Sequence, residues 1–311
     1  MYRIYYGADT KRIDVTGVVV QECISRRDGD IKVVIPRGDL ERCNMFSDPV
    51  VGVIKRVYVY KDNELCKTID SNETYELSLH STEELIVDNK TGYRMGNFFG
   101  EFQEGKHVDQ VLREYFPDYD YHGTFFDVGA FEPIRISNSH HFYLNKWKVV
   151  CFEANPSKID MLKSRRDYVF NYAICDTDSH DPMPFQNVYT NNEWTASYSA
   201  IHVSDVYKQI CGWDDRYRVE TVYVPRRTIR TIIQTEFPNL KSIDIMSIDI
   251  EGFELDCLKG CDLEKFPPKI IVVENIDSDD TILNYLIQYG YNLDKQIAYN
   301  QYYVHTSYQR H

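Results

Sequence analysis

Between residues 124 and 306, short apolar runs alternate with segments whose apolar residues recur at helical spacing. Thr124–Val128, Val149–Glu153, Tyr168–Cys175, Ile243–Ile248 and Lys269–Val273 read as strands bounded by turn residues. Helices are expected between them, near 138–145, 157–166, 252–259 and 280–289, with a further one after Pro225. Two closing strands are expected near 292–297 and 302–306. Such alternation predicts a doubly wound, mainly parallel sheet, with the closing pair adding an antiparallel edge. A helix over 105–116 carries Val108, Val111, Leu112 and Tyr115 on one face and stops before Pro117. Residues 176–223 show few signals of either kind and predict a long irregular connection.

The first 90 residues follow a different pattern. Met1–Gly7, Val15–Val20, Ile31–Ile35, Val50–Tyr60, Leu65–Ile69 and Tyr75–Leu79 are β-branched or aromatic runs separated by turns such as Asp62-Asn63. A small all-β accessory domain over 1–90, an antiparallel sheet or barrel, is therefore expected ahead of an α/β domain over 91–311. No catalytic constellation stands out in it. Substrate recruitment, homodimerisation and stabilisation of its neighbour are all open roles for it.

Charge narrows the classes of function. The formal net charge of −13 repels phosphate backbones, so bulk nucleic-acid binding is not expected. The basic groups Lys163–Arg166 and Arg226–Arg230 read as solvated helix faces or helix starts. No run approaches the roughly 20 apolar residues of a membrane helix, and the N-terminus reads as a strand and not as a leader. Eight cysteines without a C-x-x-C pair suit reduced packing, so a cytosolic protein without a membrane partner is expected. No Cys/His spacing supports zinc.

Two of the strands end in acids at telling places. Phe125-Phe-Asp-Val-Gly-Ala-Phe-Glu132 closes on Asp127 and opens onto Gly129 and Ala130; Val149-Val-Cys-Phe-Glu153 closes on Glu153. A Rossmann-like sheet presents an adenosine-containing cofactor in this way: glycine admits the backbone, and the second acid accepts both ribose hydroxyls. The loop lacks G-x-G-x-x-G, so S-adenosylmethionine suits it better than a dinucleotide. Asp127 would face the methionine ammonium, or simply cap the turn. Ala154 and Asn155 would lie near the adenine. Asp176 would accept from the adenine amino group, or be a plain turn aspartate.

The succession FFDVGAFEPIRISNS, VVCFEANP, SIDIMSIDIEGFELDCLKG and IIVVEN resembles the FkbM family of S-adenosylmethionine-dependent methyltransferases, over roughly residues 97–306. Phe102-Gln-Glu104 is similar to that family's element ahead of the first strand. The loop Phe131-Glu132-Pro133 departs from the Asn-x-Gly of many relatives, while Ser137–Ser139 matches a subset. The phrasing of the N-terminal region resembles accessory modules of large-virus proteins. The resemblance implies a class I methyltransferase fold with Asp249 facing the transferred methyl and the incoming nucleophile. Asp249, Glu251 and Glu274 are the implied catalytic acids; Glu251 and Glu254 also stand at a helix start, where the dipole favours acids.

Asp249, Glu274 and Asn275 together resemble the magnesium site of catechol-type O-methyltransferases. The alternative is a metal-free site in which Asp249 or Glu274 is the general base. The aromatic stretch with Trp194, Tyr198, His202 and Trp213 suits a collar for a small-molecule or glycan substrate. The expected reaction is methylation of a hydroxyl, foremost a sugar hydroxyl of a glycan or glycoconjugate. A ribose 2′-hydroxyl of RNA, or an inactive glycan- or protein-binding module on the same fold, are the rivals.

Overall fold

A computed structural model describes residues 2–8, 11–16, 18–19, 23–27, 30–46, 49–50, 52–79, 98–190, 199–201, 217–276 and 278–309. The chain forms two compact units, Met1–Phe99 with Ile134–Ile136, and Gly100–Pro133 with Ser137–His311.

The first unit holds two antiparallel sheets. In one, Tyr2–Ala8 pairs with Lys11–Asp14 and Arg56–Lys61, which in turn pairs with Glu64–Ile69. In the other, Asp30–Ile35 lies between Ile24–Arg27 and Tyr75–Leu79. The unit is β-rich and not all-β, because a helix spans Asp39–Phe46. Its Arg42 is fully buried and donates to the carbonyls of Pro36, Asp70 and Glu73, replacing the water it has lost. The strand expected over Val15–Val20 is also corrected: Thr16, Val18 and Val19 are helical, and Val19 N–H donates to the Val15 carbonyl at 2.9 Å. Val15, Val18 and Val19 are all buried, so the spacing of one helix face overrides β-branched propensity. Val50–Tyr60 likewise shortens to Arg56–Lys61.

The second unit is built on seven strands: β1 (Thr124–Val128), β2 (Lys148–Phe152), β3 (Tyr168–Phe170), β4 (Ile245–Ile248), β5 (Ile270–Glu274), β6 (Tyr291–Ile297) and β7 (Asn300–His305). Their order is β3-β2-β1-β4-β5-β7-β6, parallel except for β7, which runs antiparallel between β5 and β6. Helices α1 (Val108–Tyr115), α2 (His140–Leu144), α3 (Pro156–Lys163), α4 (Ile229–Glu236), α5 (Glu254–Lys259) and α6 (Thr281–Ile287) cover its faces.

Successive strand residues point to opposite faces and so feed two cores. Phe126, Val150, Met246 and Ile271 pack with Ile232 of α4, Leu258 of α5 and Leu286 of α6. Phe125, Val149, Ile245 and Ile270 pack with Val111 and Leu112 of α1, Phe142 of α2 and Leu162 of α3. The order reverses between β1 and β4, so a crevice opens at the carboxyl ends of the central strands.

The irregular connection expected over 176–223 is corrected. Ser179–Thr190 and Tyr217–Arg227 are long antiparallel arms, Phe185 opposite Val222 and Val188 opposite Val219. Pro182 and Pro184 obscure the first arm in sequence. It tolerates them because it is the edge of its three-stranded sheet and its register shifts between Ser179 and Met183. The strand expected over Tyr168–Cys175 splits, since Ala173–Ile174 leaves the main sheet and pairs with the Tyr217–Arg227 arm.

Candidate active site

The crevice is a cleft lined from one end by Phe152, Glu153, Ala154 and Asn155 and from the other by Asp249, Ile250 and Glu251. Its floor is the loop after β1. Gly129 sits there at φ +86°, and a Cβ would meet the Asp249 carbonyl oxygen at 1.8 Å. The glycine is thus required by the close approach of the β1 and β4 ends as well as by its backbone conformation. Its N–H and that of Ala130 both donate to the Phe152 carbonyl, and Ala130 faces the core.

At the β2 end, the Glu153 carboxylate accepts from the Phe131 and Asn155 backbone amides, each at 2.7 Å. Both oxygens keep a lone pair, so a vicinal diol fits against them. Burial pushes the Glu153 carboxyl up, and the two amides pull it back. Asn155 starts α3, its Oδ1 accepting from the Ser157 N–H and hydroxyl. Its buried Nδ2 has no protein partner. Ala154, Ile174, Phe185 and Ile201 supply apolar wall beside it. A free amide donor among apolar side chains, next to a diol acceptor, suits an adenosine.

Asp127 is buried and accepts from the Ser139 hydroxyl at 2.5 Å. Burial raises its carboxyl to about 6, with the Ser139 hydrogen bond and the Arg166 charge opposing. Arg166, expected on a solvated face, is 5% exposed: it donates to the Pro133 carbonyl and bonds His140 Nδ1 at 3.0 Å. Lys158 pairs with Glu132 at 2.8 Å and lies 4.0 Å from the Phe131 ring centroid. The two cations therefore hold the Phe131-Glu132-Pro133 loop.

At the other end, Asp249 follows β4 and Glu274 ends β5. Glu251 is held at φ +59°, a left-handed conformation that a non-glycine residue adopts at some cost. Glu254 holds this turn, accepting from the Ile250 and Gly252 amides at 3.1 and 3.0 Å, so its role is that of a cap. Burial and then the charge of Glu101 raise the Asp249 carboxyl. Burial and then Asp249 raise that of Glu274 further still. Glu101 Oε2 accepts from Gln103 Nε2 and Asn300 Nδ2. One carboxylate oxygen each from Glu101, Asp249 and Glu274 fall within 4.8 Å of one another.

Other expected residues stand elsewhere. Asp176 is exposed and accepts from the Thr177 hydroxyl; Tyr172, Ala173 and Ile174 occupy the cleft wall after β3. Asn275 spends its amide on the Asp279 carbonyl and Gln301 Oε1. Trp194, Tyr198, His202 and Trp213 lie outside the described residues. Glu101 itself was not signalled: it stands immediately ahead of the Phe102-Gln-Glu104 element, and only tertiary structure carries it to Asp249. Ser139 was signalled by the serine-asparagine-serine stretch after the glycine loop, although its bond to Asp127 was not.

A sheet in this order fits the class I methyltransferase fold. Residues 127–293, more than half of the chain, match the methyltransferase FkbM domain. The chain belongs to the FkbM methyltransferase family, and that membership implies S-adenosylmethionine as methyl donor. Among solved structures, a precorrin-6y C5,15-methyltransferase from Geobacter metallireducens GS-15 is similar over 68% of this chain and 94% of its own. The identity is 11% and the TM-score 0.33, a likeness too loose to argue from. No curated protein matches the chain. Among the described residues, no helix is long and apolar enough to cross a membrane, and seven cysteines are free thiols.

Proposed function

We propose that the protein methylates a hydroxyl, foremost a sugar hydroxyl of a glycan or glycoconjugate. When bound, S-adenosylmethionine supplies a methyl group on a sulfonium, which leaves as a neutral thioether. Glu153 would hold the ribose diol, Asn155 and the apolar wall the adenine, and Asp127 the methionine ammonium. Asp249 would take the proton that the hydroxyl loses as its oxygen gains the methyl. Most of the acceleration would come from positioning, since the leaving group is already good.

The observation that carries this reading is the acidic group at the acceptor end. A hydroxyl needs a proton acceptor and a partner that orients it, and Asp249 beside Glu274 provides carboxylates for both. Magnesium held by Asp249 and Glu274 is the alternative to a free carboxylate base. The aromatic residues Trp194, Tyr198, His202 and Trp213 remain the proposed sugar collar. The first unit would recruit the glycan or pair two copies of the chain. We place the protein in the cytosol, where its free thiols stay reduced, and the net charge of −13 weighs against an RNA acceptor.

Incubation with isotopically labelled S-adenosylmethionine and a panel of mono- and oligosaccharides tests the reading. A methyl ether on one sugar hydroxyl, absent with Asp249→Asn, is expected. Label found only on an amine or on RNA would overturn it.

A further inference from the structure

We propose that Glu101, Asp249 and Glu274 bind one divalent cation of the magnesium or manganese type at the acceptor end of the cleft. The role of the ion rests on the O-methyltransferase reading; its binding does not.

Three carboxylate oxygens within 4.8 Å of one another nearly match the ligand spacing of a hard octahedral ion, whose opposite oxygens stand about 4 Å apart. Glu274 is 8% exposed, belongs to that group, and its Oε2 has no hydrogen-bond partner. A buried carboxylate grouped with two others, with one of its oxygens unpartnered, lacks what a cation supplies. All three donors are hard oxygens, which favours magnesium or manganese over zinc.

Glu101 is held as a ligand should be. Its N–H donates to Asn138 Oδ1 at 3.3 Å, and its carbonyl accepts from the Val108 amide at 2.9 Å where α1 begins. Asn138 is tied in turn to β4, donating to the Ser247 hydroxyl at 3.1 Å. The side chain of Glu101 is steadied by Asn300, which faces Glu274 across the β5–β7 pairing. Such outer hydrogen bonds aim a metal ligand and raise affinity for the ion. This set replaces Asn275 by Glu101 in the expected metal site, and Asn275 keeps its structural bonds to Asp279 and Gln301. A bound ion would orient the acceptor hydroxyl and lower its pKa.

The test is calorimetric titration of the full chain with MgCl2 and with MnCl2, with S-adenosylhomocysteine present, and electron paramagnetic resonance of the manganese. One saturable ion per chain is expected, weakened at least about tenfold in Glu101→Gln and in Glu274→Gln. Both variants should melt cooperatively and bind S-adenosylhomocysteine as the parent does. Flat titrations with both ions, as a group serving a substrate ammonium would give, overturn the proposal. So does binding that survives both substitutions. If S-adenosylhomocysteine binds while the ions do not, the methyltransferase reading stands and only the ion fails.

Discussion

At the carboxyl ends of β2 and β1, Glu153 accepts from two backbone amides and the buried Asp127 from the Ser139 hydroxyl, with Arg166 nearby. At the β4–β5 end, the charges acting most strongly on Asp249 and Glu274 are those of other carboxylates. Both pairs are acids at strand ends, so their sequence contexts look alike. The protein supplies the donors for the first pair, which in the proposed function would receive a neutral diol and an ammonium. It crowds the second, which needs a proton or a cation from elsewhere. In the proposed function the contrast would separate binding from chemistry: one end preorganised to hold, the other electrostatically unsatisfied so that what arrives there is polarised.

The largest effect should come from removing the acid at the reactive end. Asp249→Asn is expected to lower the methyl-transfer rate by roughly 10²–10⁴-fold, measured as turnover at saturating cofactor. At the holding end, Glu153→Gln should weaken S-adenosylhomocysteine binding by about 2–3 kcal/mol, because one charged acceptor of a buried pair of hydrogen bonds is lost. Calorimetry reads that loss directly.

Asp127→Asn should act in opposite directions on binding and stability. The folded Asp127 carboxyl is raised to about 6, above its unfolded value, so the native state holds its proton longer. Its stability contribution is therefore most favourable below the unfolded pKa and is lost as pH rises toward 6. Above that, burying the ionised form costs about 3 kcal/mol at most. The variant should weaken cofactor binding yet melt higher than the parent at pH 7.5, with the gap closing near pH 4. A lower melting point at pH 7.5 would show that Ser139 and Arg166 already offset the burial. The smallest effect is expected far from either end: Lys259→Ala removes the exposed partner of Asp256 and should change stability by less than about 0.5 kcal/mol in denaturant titration.

Much of the sheet was legible because parallel strands buried on both faces are continuous apolar runs. Thr124–Val128 was located to the residue, and the strand-end acids Asp127, Glu153, Asp249 and Glu274 stand where alternation placed them. What was not legible depended on partners distant in sequence. Glu101 is brought to Asp249 by Asn138 and α1, so no local period marks it. The arms Ser179–Thr190 and Tyr217–Arg227 are masked by prolines that only an edge strand accepts. Arg166 looked solvated because its partners, Pro133 and His140, come from the loop after β1 and the start of α2. In the first unit, a buried face of Val15, Val18 and Val19 turned an apparent strand into a helix.

The most direct measurement is calorimetric titration of S-adenosylhomocysteine into the full chain and into Glu153→Gln. The account predicts about one site per chain at roughly micromolar affinity, weakened at least tenfold by the substitution. No saturable binding, or binding indifferent to Glu153, would contradict it.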